Sequence, residues 1–404
     1  MDPRDKLEGD GVGEGQPHRL MDAMTDRPEI HGLCPTRFNA VKDAFAANFV
    51  EAPEGLNELA ARFSVTIDGE VALDLWAGSA DLAGSKPFAE DMLVPVFSTG
   101  KAVMALMIAR CVDKGLLSYE DRVADHWPAF GAAGKDALTV GQLMSHQSGL
   151  PGFSDGVEPA IWFDRQAVLD RLAAQAPLWA PGTASGYHPI TIGYLAGELF
   201  RIVDGRSMGT ALREDFAAPF DLDLWIGLPE SEHGRVAQLR KPAAAPDLGP
   251  IDAIKKAAFL DRGSAPGGRG STEWRMAEIP SANLHGTAKD LARMMSIVAT
   301  GGALDGRAVL SQETLAQATR ERIHGQDKVL PYVMSWAAGF TRNEGLNVFG
   351  PNPLAVGHCG WGGSMAFADP GARVSAAYVM TRQSPHLIGD PRALRLIEAL
   401  YAAL

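Results

Sequence analysis

Hydrophobic and polar positions near the start of the sequence repeat first at helical spacing and then alternate as they do in strands. Apolar residues three and four positions apart predict a helix over residues 37–50. Two alternating runs follow at residues 63–67 and 71–75, with Asp68-Gly69 between them. Such a pair favours a two-residue turn, because both of its positions tolerate a positive φ. The pattern therefore predicts a helix followed by a β-hairpin.

A different pattern begins after the hairpin. Residues 93–97 form a short apolar run, and residues 101–112 are almost wholly apolar. Because an exposed helix needs a polar face, an apolar segment of this length predicts a buried helix. Ser98 fits the N-cap of that helix, and Lys114-Gly115 is typical of its end.

The remaining sequence has a central part dominated by helical patterns and a final part in which strands return. Helical spacing occurs at residues 138–146, 167–175, 191–202, 288–300 and 392–403. Proline and glycine make residues 242–270 loop-like. Apolar runs typical of strands occupy residues 334–340, 363–368 and 374–379. This order of elements predicts a mixed α/β protein.

The same order predicts how the chain divides. We expect residues 30–120 and 286–404 to form one split α/β domain, and residues 121–285 to form a helical insertion. Residues 1–29 contain no apolar run, so they fit neither an export signal nor a membrane span, and we interpret them as a mobile leader. The expected location is therefore cytoplasmic, with no membrane partner.

Composition narrows the classes of partner. The 404 residues include 49 Asp and Glu against 37 Lys and Arg, a formal net charge of -12. An acidic surface repels phosphate backbones, so nucleic acid is not an expected partner. The three cysteines are too few for a disulfide framework or a cysteine-based zinc site, and no histidines show H-E-x-x-H spacing. We expect neither a metal nor a cofactor. The sequence does not indicate the number of subunits.

The first candidate for chemistry is the run Ser98-Thr99-Gly100-Lys101. A spacing of three residues on a helix puts Ser98 and Lys101 on one face. Burial in an apolar helix favours the neutral form of Lys101, and a neutral amine beside a hydroxyl can act as the base that activates it. The alternative is a capping serine followed by a lysine that reaches the surface. The apolar helix leaves Lys101 no easy route to solvent.

Two further segments could take part in catalysis or ligand binding. Tyr187 follows the turn formers Pro181-Gly182 and precedes a helix, so its phenol could face a cleft and pass protons. The alternative is a packed ring whose hydroxyl is satisfied. Residues 357–364 read Gly-His-Cys-Gly-Trp-Gly-Gly-Ser, and such glycines let a backbone approach a ligand and present N–H groups to an oxyanion. A glycine-rich bulge without a ligand is the alternative there.

One motif is set aside. Residues 205–209 match the G-x-S-x-G pattern of a nucleophile elbow, which requires a preceding strand. The preceding residues 191–202 have helical spacing instead. Ser207 is therefore predicted to cap the next helix rather than to react.

The order of these loci resembles that of the serine β-lactamase and penicillin-binding-protein superfamily, and in particular its class C-like serine hydrolases and family VIII carboxylesterases. The resemblance extends from about residue 38 to residue 404. Five segments carry it: S-x-x-K at 98–101, LMSHQSGLP at 143–151, the Pro-Gly to Tyr segment at 181–187, NLHGTAKDLA at 283–292 and the glycine-rich run at 357–364. One such match is weak evidence, whereas five in order are specific.

The resemblance implies a fold and a set of roles. The fold would be α/β (α+β) of the β-lactamase/transpeptidase type, with a central antiparallel sheet flanked by helices and the active site between it and an all-helical domain. Ser98 would be the nucleophile that forms an acyl-enzyme, and Lys101 and Tyr187 would transfer protons. The backbone N–H groups of Ser98 and Trp361 would form the oxyanion hole. The residues expected to contact substrate are His358, Gly360, Trp361, Gly362 and Phe153.

Departures from the family pattern bear on the substrate. The residue two positions after the tyrosine is often an asparagine that helps to bind β-lactam side chains, but here it is Pro189, which has no donor. His358 replaces the lysine of Lys-Thr-Gly, which anchors a carboxylate in β-lactamases. Trp361-Gly362-Gly363 is typical of the esterase branch. These features predict a serine carboxylesterase that hydrolyses short-chain esters, with a small-molecule ester as its partner.

Other activities share this machinery. A β-lactamase or D-amino-acid peptidase, and an acyltransferase that uses the same serine, remain alternatives. A non-catalytic scaffold is disfavoured because Ser98, Lys101 and Tyr187 are all present. The net charge of -12 also disfavours anionic substrates at long range, although salt screens this effect.

Overall fold

The hairpin predicted near the start of the chain is present in the computed structural model, which describes residues 27–404. Strands Ala60–Ile67 and Glu70–Gly78 pair antiparallel. Asp68 and Gly69 between them have φ values of 54° and 89°. A two-residue turn with both φ angles positive matches the right-handed twist of the strands it joins, which explains why Asp-Gly occupies it.

A nine-stranded antiparallel sheet forms the centre of the structure. Its strands, in spatial order, are His31–Leu33, Glu70–Gly78, Ala60–Ile67, Val374–Met380, Met365–Asp369, Val356–Cys359, Thr341–Arg342, Val333–Trp336 and Ile323–Gln326. The first three come from the start of the described chain and the other six from its end, so the two ends meet at the pair Ala60–Ile67 and Val374–Met380. A three-stranded sheet joins Val94–Pro95, His285–Gly286 and Leu224–Trp225, and a two-stranded one joins Ala303–Leu304 and Arg307–Ala308.

Helices cover both faces of the large sheet. Asn39–Val50 and Pro391–Ala403 pack on one face, and Ala288–Ala299 packs on the other. The longer helices of the described chain are Asn39–Val50, Gly100–Asp113, Arg165–Ala174, Thr191–Asp204, Ala288–Ala299, Gln312–Thr319 and Pro391–Ala403. Shorter ones are Val123–His126, Val140–Met144, Met208–Leu212, Ala218–Phe220, Ala253–Lys255 and Thr272–Met276. The sheet is thus the middle of three layers, a central antiparallel sheet flanked by helices as the resemblance implied.

Strand Val374–Met380 is almost wholly apolar because both of its faces are buried. Ala376 and Tyr378 pack into the core with helices Asn39–Val50 and Pro391–Ala403. Ala377 and Val379 pack into the opposite core, which contains the helix Ala288–Ala299. Successive side chains of a strand point to opposite faces, so a strand covered on both faces has no position that faces solvent. Its one serine, Ser375, is satisfied inside the core, where it bonds Thr66 Oγ1 and donates to the Ala292 carbonyl, each at 2.6 Å.

Several predicted boundaries change. Ser98 does not cap the buried helix: the helix is Gly100–Asp113, its N-cap is Thr99, and Ser98 lies in the preceding 3-10 turn Phe97–Thr99. Within the segment predicted as a loop, Ala253–Lys255 and the turn Lys256–Leu260 are helical. The apolar pattern did not predict the strands Ile323–Gln326, Thr341–Arg342 and Val356–Cys359, because each is only two to four residues long.

Two predictions concern the ends of the chain and membranes. Most of the predicted leader, residues 1–26, lies outside the described residues. Within residues 27–404, no helix is both long enough and apolar enough to cross a bilayer.

Candidate active site

Ser98 lies at a sharp turn between a short strand and the buried helix. Strand Val94–Pro95 ends one residue before the turn, and Phe97 has a φ of 49°. A bulky residue in this left-handed region costs roughly 1–3 kcal/mol and persists only where its surroundings hold it. The ring of Trp274 packs 6.1 Å from that of Phe97, and the Val96 N–H donates to the Leu284 carbonyl at 2.9 Å. The turn leaves Ser98 half-buried on the wall of a cavity.

Lys101 is fully buried and contacts Ser98. Its Nζ lies 3.0 Å from Ser98 Oγ, 2.7 Å from the carbonyl oxygen of Pro189 and 2.9 Å from that of Ser281. No carboxylate of the described residues forms an ion pair with it. Burial without a counter-ion therefore lowers the pKa of Lys101 well below its ordinary value. The spacing of three residues thus places amine and hydroxyl together, as the sequence predicted.

Tyr187 reaches the same serine from the other side. Its hydroxyl lies 2.6 Å from Ser98 Oγ, and Lys101 Nζ lies 4.8 Å from the centre of its ring. Burial raises the pKa of Tyr187 above its ordinary value, so the phenol is protonated at neutral pH. A protonated phenol at this distance donates its hydrogen bond to the serine oxygen.

Trp336 and Asp327, the latter not singled out by the sequence, hold Tyr187 in place. The Tyr187 backbone N–H donates to Asp327 Oδ1 at 2.8 Å, and the indole N–H of Trp336 donates to Asp327 Oδ2 at 3.1 Å. The rings of Tyr187 and Trp336 are stacked, with centroids 5.9 Å apart and planes 5° apart. One buried carboxylate therefore fixes both the tyrosine and the ring that supports it.

The glycine-rich run at residues 357–364 forms a tight turn against the segment that carries Ser98. The Gly360 N–H donates to the Ser364 carbonyl at 2.7 Å, and Ser364 Oγ lies 2.9 Å from both Thr99 Oγ1 and the Val96 carbonyl oxygen. A Cβ at Gly360 would lie 2.4 Å from that same carbonyl oxygen, so only glycine fits. Trp361 follows in this turn. Neither its backbone N–H nor that of Ser98 donates a hydrogen bond within the described residues.

His358 lies on the same cavity wall with one unpaired nitrogen. Its Nδ1 is 2.7 Å from the Cys359 carbonyl, so Nδ1 carries the proton and Nε2 is an acceptor. Nε2 is buried and has no partner in the described chain. Burial, together with the nearby Lys101, lowers the pKa of His358 to about 3. The ring is therefore neutral at physiological pH.

Beneath the glycine-rich turn lies a buried ion cluster. Arg392 pairs with Glu58 at 3.1 Å and with Asp390 at 2.8 Å, and all three side chains are buried. Arg392 also lies 3.4 Å from the carbonyl oxygen of Gly362. Burial raises the pKa of Glu58 to about 8. The cluster ties the closing helix Pro391–Ala403 to the turn that presents Trp361.

Replacing Arg392 by methionine is expected to lower the free energy of unfolding by about 3–5 kcal/mol, because the buried Asp390 carboxylate loses its ion-pair partner and the buried Glu58 carboxyl loses the guanidinium beside it. Urea unfolding followed by circular dichroism would measure this loss. Arg395→Met is the matched control on the same helix, since Arg395 is only partly buried and bonds Asn48 Oδ1 at 3.3 Å. Equal losses in the two variants would contradict a special role for the cluster.

Apolar side chains form most of the cavity beside Ser98. Its empty space is about 840 Å³, including the open mouth, and its walls include Phe97, Ile190, Phe259, Trp336, Leu387 and Ile388. Of the residues expected to contact substrate, His358 and Trp361 line it, whereas Gly360 and Gly362 do not. Phe153 is not on the wall: it is buried in the core, where its ring packs 5.0 Å from that of Trp162.

Ser207 takes the structural role predicted for it. Its Oγ accepts from the Thr210 N–H at 3.1 Å and caps the helix Met208–Leu212. It also donates to Glu278 at 2.7 Å and does not line the cavity of Ser98.

A buried amine and a phenol converge on Ser98 at an apolar cavity. This arrangement defines the class of protein: a serine hydrolase.

The chain belongs to the Beta-lactamase family, whose profile matches residues 45–400. It is 36% identical to the Esterase/beta-lactamase LipL of Mycobacterium tuberculosis, an alignment that covers 94% of this chain and 90% of that protein. The resemblance inferred from the five motifs is thereby confirmed.

Solved structures confirm the fold class. A penicillin-binding protein homologue from Caulobacter crescentus superposes with a TM-score of 0.90 at 57% identity, covering 93% of this chain and 100% of that one. A family VIII carboxylesterase superposes with a TM-score of 0.86 at 40% identity, over the same shares of the two chains.

Proposed function

We propose that the protein hydrolyses short-chain carboxylic esters through an acyl-serine intermediate on Ser98. The observation that carries this proposal is the convergence of Lys101 Nζ at 3.0 Å and the Tyr187 hydroxyl at 2.6 Å on Ser98 Oγ. A serine hydroxyl becomes a nucleophile when a neighbouring base takes its proton as it attacks. The adjoining cavity provides space for an apolar acyl or alcohol group.

Lys101 is the base in this proposal. A neutral amine has two N–H donors and one lone pair, and two carbonyl oxygens, of Pro189 and Ser281, occupy the donors at 2.7 and 2.9 Å. The lone pair then remains for the hydroxyl proton of Ser98. Tyr187 is a weaker candidate because its phenol is protonated and already donates to Ser98 Oγ.

The steps follow from this assignment. Ser98 Oγ forms a bond to the ester carbonyl carbon while its proton passes to Lys101, and the resulting oxyanion accepts hydrogen bonds from the free N–H groups of Ser98 and Trp361. Each such donor contributes about 3–4 kcal/mol to the barrier reduction in comparable sites. The carbon–oxygen bond to the alcohol then breaks as that oxygen takes a proton from Lys101 by way of Tyr187. A water molecule then attacks the acyl carbon while Lys101 takes its proton. The bond to Ser98 Oγ breaks, this oxygen regains a proton from Lys101, and the carboxylic acid is released.

Two positions of the site lack the groups that bind a β-lactam in β-lactamases. A lysine at the position of His358 would offer a cation to a β-lactam carboxylate, whereas His358 is neutral and presents only an acceptor. The Pro189 carbonyl is occupied by Lys101, so this residue does not replace the side-chain amide that assists β-lactam binding. The similarity to a family VIII carboxylesterase and to LipL supports an ester substrate, although the name of LipL includes both activities.

A substrate panel tests the proposal. We expect intact-mass spectrometry to show Ser98 acylated by p-nitrophenyl acetate, butyrate or hexanoate, and kcat/KM for the preferred ester to exceed that for nitrocefin by a large factor. Preference for nitrocefin would favour the β-lactamase alternative. Capture of the acyl group by added alcohols or amines in preference to water would favour an acyltransferase instead.

A further inference from the structure

Arg269 is a cation without a counter-ion on the wall of the active-site cavity. Among the lining residues within the described chain it is the only one with a permanent charge, because His358 is neutral. No carboxylate and no hydrogen-bond acceptor of residues 27–404 pairs with its guanidinium. Its neighbour in the same loop, Arg262, forms an ion pair with Glu158 at 2.8 Å. Of these two loop arginines, only the one on the cavity wall is unpaired within the described residues.

Two aromatic rings place this charge beside the reacting serine. The guanidinium carbon lies 5.2 Å from the ring centre of Phe97 and 5.9 Å from that of Trp361. Phe97 immediately precedes Ser98, and the backbone of Trp361 is the proposed second oxyanion donor. Contact with ring faces holds a guanidinium without using its N–H donors.

The surroundings of the Arg269 guanidinium favour binding of an anion over hydration alone. Arg269 is open to solvent at the cavity mouth, yet burial of part of the side chain lowers its pKa from the ordinary value. Among residues 27–404, the cavity lining includes no acidic side chain that could compete for the charge. A guanidinium presents parallel N–H donors that match the two oxygens of a carboxylate.

We propose that Arg269 binds a carboxylate carried by the ester substrate, so that the preferred substrates are anionic esters. This inference rests on the proposed ester hydrolysis and names its substrate class. It reverses the expectation from net charge: the -12 acts at long range and is screened by salt, whereas one unpaired cation acts at contact distance. The apolar walls then hold the carbon chain between the carboxylate and the scissile carbonyl.

The test compares matched ester pairs that differ only in charge. Mono-p-nitrophenyl adipate and its methyl ester carry the difference on the acyl side, and 4-acetoxybenzoate and its methyl ester carry it on the alcohol side. The measured quantity is the ratio of kcat/KM for the anionic ester over its neutral partner, at fixed ionic strength. In at least one pair, Arg269→Met is expected to lower this ratio by roughly tenfold, the size of a lost hydrogen bond to a charged group.

Two further variants sharpen the result. Arg269→Lys keeps the charge but not the paired donors, so it should lie between the wild type and Arg269→Met. Arg262→Met removes a neighbouring, paired cation and should leave the ratio unchanged. A ratio that Arg269→Met does not change in either pair, or that Arg262→Met lowers equally, would overturn the anion site.

The outcome also separates this inference from the function beneath it. If the wild type hydrolyses the neutral esters but shows no dependence on Arg269 for the anionic ones, only the anion site fails. If it hydrolyses none of the four esters, the proposed ester hydrolysis fails, and the substrate assignment fails with it.

Discussion

Ser98→Ala is expected to reduce kcat/KM for p-nitrophenyl butyrate by roughly 10⁴–10⁶-fold, because no oxygen remains to form the acyl bond. Both residues that meet at Ser98 Oγ are also held elsewhere: the Lys101 amine binds two carbonyls, and the Tyr187 backbone N–H donates to Asp327. The variant should therefore fold with its pocket intact. Steady-state kinetics would measure the loss, and intact-mass spectrometry should show no acylated protein.

Ser207→Ala is the matched control, because Ser207 lies in the competing G-x-S-x-G motif. Ser207 caps the helix Met208–Leu212, so its loss should cost about 1 kcal/mol of stability and leave kcat/KM within a few-fold of the wild type. An inactive Ser207→Ala together with an active Ser98→Ala would overturn the assignment of the nucleophile.

The sequence predicted those features of the structure that depend only on residues close together in the chain. The hairpin at Asp68-Gly69 follows from the φ angles that the two residues tolerate. The pairing of Ser98 with Lys101 follows from their spacing, and the burial of Lys101 from its apolar helix. Each of these predictions required only neighbouring residues.

The prediction for Ser98 as a cap was wrong for a physical reason. Its side chain is directed at Lys101 and Tyr187 instead of at the first N–H groups of the helix, and Phe97 turns the chain by adopting a positive φ. A pattern of residue types favours the cap because serine is common there. The long-range partner that competes for the hydroxyl, Tyr187, is 89 residues away.

The sequence also missed contacts made by backbone atoms and distant segments. The carbonyls of Pro189 and Ser281 lie 88 and 180 residues from Lys101, and carbonyl groups carry no residue-type signal. Asp327 is 140 residues from Tyr187. Arg269 stood in a segment interpreted as a loop, and only the folded chain shows that it faces the cavity.

Lys101→Met is expected to lower kcat/KM by roughly 10³–10⁴-fold, because a thioether cannot accept the serine proton. Lys101→Arg should be similarly inactive, since a guanidinium stays charged and has no free lone pair. Lys135→Met is the matched control: Lys135 is also buried and donates to two carbonyls, of Ala132 and Gln175, at 2.7 Å each, but it does not line the cavity. The Lys135→Met variant should retain the kcat/KM of the wild type per folded molecule. A larger loss in Tyr187→Phe than in Lys101→Met would identify the tyrosine as the base.

The pH dependence of kcat/KM distinguishes Lys101 from the other buried groups. The active form holds a neutral amine, so activity should fall as pH decreases through the lowered pKa of Lys101. Burial lowers the pKa of His188 and His358 to about 3, so neither accounts for a limb well above that pH. Glu58, with a pKa raised to about 8 by burial, is another buried candidate. Because Glu58→Gln removes that titration and leaves the amine, the acid limb should persist in this variant, and its disappearance would assign the limb to the ion cluster.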